Sequence, residues 1–225
     1  MNEYPSEAGS DWGKSNGNER EVQHGSIEIE KVGVLWVIAA GISVLPIGVA
    51  RAADNLKIRW DLISVAFTNP PTLSPGGHAS ASNTKDGTSI TMTGSGTFSS
   101  NSGKPQNVTG GGTWKTFAKD GTMTGSGTYE VTRFVRFALA PVTGPPTFND
   151  TICSDCEVHS ALAVLAIEYS DGSEGVLVVS CAASPGTPPS VFEGITATKD
   201  FVDYWEPGEH LPGVDANFTA IHILQ

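Results

Sequence analysis

Beyond residue 56 the apolar and polar side chains alternate in short runs, the two-residue period of half-buried strands. At 57–67 (KIRWDLISVAF), Ile58, Trp60 and Leu62 alternate with Arg59 and Asp61, which predicts a first strand. A connection rich in Pro, Gly, Ser and Asn follows at 68–85, then a second strand at 87–98. A long strand carries Tyr129, Val131, Val135, Phe137 and Leu139 and stops at the proline-rich 141–146. Residues 160–169 and 175–181 flank Asp171-Gly172 as a hairpin. Within it, 161–167 is apolar on both faces, which reads as a central buried strand, although a helix fits the same run. Segments 191–202 and 216–224 add two or three strands around an aromatic loop at 203–212.

An internal repeat sets the architecture. Residues 92–98 read MTGSGTF and 123–129 read MTGSGTY, each after Lys-Asp-Gly-Thr, and a looser copy, TGGGTW, occupies 109–114. The interval of about 15 residues suits one strand plus its turn and is too short for solenoid or propeller units. Asp120-Gly121 suits a two-residue hairpin turn. Pairing Lys119 with Thr122 then sets Trp114 opposite Gly127 and Gly112 opposite Tyr129, with Thr113–Thr128 and Lys115–Ser126 on a polar face. Rings lying over glycines restore packing and let a sheet coil sharply. The expected fold is all-β, an antiparallel up-and-down barrel of about eight strands, with a two-layer sandwich as the alternative.

Over residues 86–139 the Gly-x-Gly-Thr-aromatic strands resemble those of calycin-like and allene-oxide-cyclase-like barrels. The GSGT[FY] strands, together with Phe201-Val202-Asp203-Tyr204-Trp205, are also similar to a group of secreted bacterial β-proteins of unassigned function. The barrel resemblance implies a ligand-holding interior or isomerase and cyclase chemistry; the second resemblance implies no activity.

Residues 32–50 are an uncharged apolar run ending on Ala50-Arg51-Ala52, with Pro46 and Gly48 near its end, as a secretory signal requires. Cleavage after Ala52 is expected, leaving residues 53–225 as one secreted or periplasmic domain; an uncleaved membrane anchor is the alternative. Residues 1–31 are polar and acidic, an extension too poor in apolar side chains to fold alone. The chain carries a formal net charge of −11 and residues 53–225 hold no basic cluster, which excludes nucleic acid as a partner.

Candidate chemistry is sparse, and no catalytic, metal or nucleotide motif stands out. Trp114 and Tyr129 supply flat apolar surface for a small, partly apolar ligand. Arg133 shares the alternation of Tyr129, Val131 and Val135, so it is expected to point inward, where a guanidinium needs a carboxylate or an anionic ligand; the alternative is a guanidinium reaching water at a barrel mouth. A binding module using these three residues is the first expectation. An isomerase or cyclase with Glu130 or Asp61 as acid or base, and a structural or surface-interaction domain, are the others. His78, His159, His210 and His222 show no triad or ligand spacing. In an exported chain Cys181 is expected to bridge Cys153 or Cys156, with a local Cys153–Cys156 pair as the alternative. A zinc set of these cysteines with His159 is set aside because exported thiols oxidise first, so no metal or cofactor is expected.

Overall fold

Strand β1 (Lys57–Ala66) is flanked along its first half by β15 (Phe218–Leu224) and β5 (Ser95–Ser99), and along its second half by β2 (Thr72–Pro75). The structure is a computed structural model that describes residues 56–100, 107–211 and 213–224. The expected extension at 1–31 and signal at 32–52 lie outside the described residues. Val49–Gln225 forms one compact unit.

The repeat region becomes neighbouring antiparallel strands. β4 (Ser89–Thr93) and β5 are one strand kinked at Gly94, and both lie along β6 (Val108–Phe117), which pairs with β7 (Met123–Leu139). Next come β10 (Ala161–Tyr169), β11 (Glu174–Cys181), β12 (Gly194–Lys199) and β13 (Val202–Tyr204), a meander of successive neighbours. The hydrogen-bonded path starts at β13 and ends at β9 (Glu157–Val158) beyond β15, so this one large mixed sheet is not closed into a barrel. The connection expected at 68–85 instead contains β2 and β3 (His78–Ser82); β3 pairs with β4 and with β14 (Glu206–Pro207). β2 also pairs with β8 (Asn149–Asp150), the parallel contact of the sheet.

The register read from the repeat is present: Gly112 faces Tyr129, Thr113 faces Thr128, Trp114 faces Gly127 and Lys115 faces Ser126. It arises from a different turn. Ala118 N donates to Thr122 O and Gly121 N to Ala118 O, a three-residue loop with Gly121 at φ 83°. The one-residue offset is cancelled by a bulge between Thr116 and Phe117. The 169–173 loop repeats this geometry with no compensating bulge. A two-residue turn at Asp171-Gly172 would set Leu162 opposite Cys181; Ala161 faces it instead.

Aromatic rings cover bare backbone throughout the core. A Cβ on Gly127 would stand 3.0 Å from Trp114 Nε1, and one on Gly96 2.8 Å from Trp60 Nε1. Gly94, at φ 150°, lies beneath the Tyr129 ring, whose hydroxyl donates to Thr93 O at 3.0 Å. Trp60, Phe98, Ile90, Met92, Leu165 and Leu177 are fully buried around them. The opposite face of the repeat strands is polar: Thr93 and Thr113 hydroxyls meet at 2.7 Å, Thr97 and Thr109 at 2.9 Å.

The strands buried on both faces are β1, where Trp60, Asp61, Leu62 and Ile63 are all inaccessible, and likewise β12 and β15. β10 alternates buried and part-buried positions, contrary to the expectation for 161–167. Around β1 and β15 the second face is met by other groups: Asp150 reaches His222, and Phe148 and Val158 share a cavity wall with Ile63 and Val65. No helix among the described residues is long and apolar enough to cross a membrane.

Candidate functional site

The residues expected to line a ligand site do not converge. Trp114 is 4% exposed and Tyr129 2%, and both are consumed by packing. The Trp114 indole has Gly125 and Gly127 beneath it, Tyr169 edge-on at 5.6 Å and Lys199 Nζ 4.7 Å from its centroid, while its Nε1 donates to Thr128 O. No ring face is left for a sugar or pigment. Tyr129 is buried enough that its phenol titrates well above the ordinary range, chiefly through desolvation.

Arg133 points outward, against expectation. The ladder between β7 and β10 shifts twice, pairing Ile167 with Val131 but Ala166 with Arg133, and Leu165 with Phe134 but Val164 with Arg136. Thr132 and Val135 are the extra residues of these two bulges. After each, the inward alternation moves by one position, so Phe134 and Phe137 turn toward the core and stack around Phe98 at 4.7 and 5.7 Å. Arg133 is left exposed beside Thr132, Glu168 and Glu174 in a shallow outer groove.

Glu130 is exposed, opposite Gly111 and Glu168. Asp61, in contrast, is 1% exposed inside a charged cluster. Arg59 donates to both of its oxygens, Nε and a terminal nitrogen each at 2.8 Å. His222, fully buried on the adjacent strand, places Nδ1 3.9 Å from Asp61 and Nε2 2.7 Å from Asp150, whose carboxylate lines a small cavity with Cys156. The Asp61 carboxylate raises the already high Arg59 value further. The imidazole thus sits between two carboxylates and brings β1, β15 and β8 together. Arg133 lies elsewhere: its groove holds Glu168 and Glu174, and neither of the expected acid or base residues, Asp61 and Glu130, lines it.

The bridge from Cys181 is also corrected. Cys153 pairs locally with Cys156 at a Cα separation of 5.6 Å, and Cys181 is a free, fully buried thiol, its pKa driven far up by desolvation. The 153–158 segment leads directly into β9, which pairs Val158 with His222, whereas Cys181 faces Ala161 in a regular ladder. Among the described residues, no group of three or more His, Cys, Asp or Glu could hold a metal.

A different set of residues builds the best-formed cavity, of about 250 Å³. Its walls are Ile63, Val65 and Phe67 of β1 and the residue after it, Leu73 of β2, Phe148, Val158 and Phe218. The cavity sits at the open seam, where β11 ends near the start of β15. There Glu193 reaches across: Ala182 N donates to its Oε2 at 2.6 Å, and Thr219 N and Oγ1 to its Oε1 at 2.7 and 3.0 Å. A side chain thus links the exit of β11 to β15, two strands that are not ladder neighbours. Burial pushes the Glu193 pKa up to about 7, against the three hydrogen bonds that favour the ionised form. His210, edge-on to Phe218 at 5.6 Å, stands in the same wall.

Glu193 and His222 were not singled out from the sequence. The available signal was a lone polar residue inside an apolar run, Val191-Phe192-Glu193-Gly194-Ile195 and Ala220-Ile221-His222-Ile223. Comparison of the chain with protein-family models, curated proteins and solved structures returned no match.

Proposed function

We propose that the protein is a secreted binding module that takes a small, partly apolar ligand into the cavity at the open seam, beside Glu193. The observation that carries this reading is the cavity itself: apolar walls from β1, β2 and β15 and one carboxylate fixed in position. Ligand sites combine a mostly apolar lining with a few placed polar groups. At about 250 Å³ the space suits a short amphiphile rather than a drug-sized molecule. Export is supported by the apolar run at 32–50 with its small-residue cleavage pattern and by the Cys153–Cys156 pair.

Thermal melts of the protein with increasing 1-octanol test the reading, alongside two variants that fill the cavity from different walls, Val65→Trp on β1 and Ala183→Phe on the segment after β11, which also lines it. A concentration-dependent rise in Tm is expected for the wild type and its loss in whichever variant folds. An unchanged wild-type Tm up to the solubility limit of the alcohol overturns it.

A further inference from the structure

We propose that this cavity selects an apolar ligand carrying one cationic amine, seated with its ammonium against the Glu193 carboxylate. The inference rests on the binding reading above and names the ligand class. Glu193 is the acidic residue of the cavity wall, and His210 is the other ionisable group there. The carboxylate accepts two hydrogen bonds at Oε1 and one at Oε2, so Oε2 keeps an acceptor position.

All three donors are neutral. The ion pairs among the described residues engage Arg59, Lys199 and His222, and none includes Glu193. A carboxylate in apolar surroundings without a counter-ion is a site built for one.

The surroundings reinforce the sign of the charge. Asp215 is tied to β1 beside the cavity, accepting from Val65 N at 2.6 Å and from the Ser64 hydroxyl, and Glu209 precedes His210 in the same loop. The chain's formal net charge is −11. Such a field draws in a cation and opposes an anion. An alkyl carboxylate would set like charges together, an alcohol could donate one hydrogen bond without neutralising anything, and an ammonium does both.

Isothermal titration of the full chain at pH 8 with octylamine, 1-octanol and octanoate reads this directly. Octylamine is expected to bind about tenfold more tightly than 1-octanol, with octanoate weakest. Glu193→Gln is expected to erase the preference for octylamine over 1-octanol. The wild-type ranking stands by itself if that variant does not fold. Equal affinity for octylamine and 1-octanol overturns charge selection while leaving the cavity reading intact. Octylamine binding that persists in Val65→Trp or Ala183→Phe places the amine on the acidic surface and also overturns it. Silence from all three probes removes the binding reading as well.

Discussion

At the scale of single residues, a carboxylate hidden from solvent is held by one shallower partner. Asp61 is inaccessible, while its guanidinium partner Arg59 keeps about a third of its side chain in solvent. Removing Arg59 leaves a buried carboxylate facing only His222, at 3.9 Å. Arg59→Leu should therefore destabilise by about 3 kcal/mol in urea unfolding, and Arg59→Leu combined with Asp61→Leu should recover most of that, because the cost lies in the orphaned charge. A double variant no more stable than the single one would show that the pair organises β1 in some other way. The sequence offered Asp61 as a charge in an alternating strand and as a candidate acid or base; its burial depends on distant segments, His222 and Asp150, meeting near it. Trp114 is the opposite case. Its position over Gly127 agrees with the register read from the repeat, although the structure reaches it through a three-residue turn and a bulge between Thr116 and Phe117 in place of the expected two-residue turn.

At the scale of elements, the turns decide which register each hairpin takes. Gly121 lies at φ 83° with nothing within 4 Å of where a Cβ would stand, so Gly121→Ala meets a conformational penalty and no clash. A loss of about 1 kcal/mol is expected in thermal or chemical unfolding. Gly144, which has equal space and no positive φ, should accept alanine without loss. Equal effects at the two positions would dismiss the turn argument. The same scale explains which part of the site stayed hidden. Strands β1, β6, β7, β10 and β11 were legible because alternation and turn residues are local. The bulges at Thr132 and Val135 were not, because an extra residue is tolerated wherever the neighbouring strand allows it. Each reverses the facing of everything after it. That reversal moved Arg133 from the expected interior to the surface and brought Phe134 and Phe137 to Phe98.

For the whole molecule, the seam between β11 and β15, which are not ladder neighbours, depends on a titratable side chain. Glu193 joins the exit of β11 to β15, and its pKa stands at about 7 against an ordinary 4.5. Between those values the folded chain binds more protons than the unfolded one, so this group favours folding most below about pH 4.5, and the benefit is lost as pH rises through about 7. The limiting slope is about 1.4 kcal/mol per pH unit, and solvent reaching the partly buried group reduces the expected change to about 1 kcal/mol over the window. Asp171 titrates with the opposite sign. Lys199 and Ser173 hold it at about 2, so its contribution is lost only in stronger acid and does not overlap. Urea unfolding of the wild type and of Glu193→Gln from pH 4.5 to 8 isolates the term, because every other group titrates in both proteins. The wild type should lose stability relative to the variant as pH rises. Parallel curves would mean that the carboxylate does not change its protonation on folding, and the account of the seam as a strained, ionisable closure would fail with it.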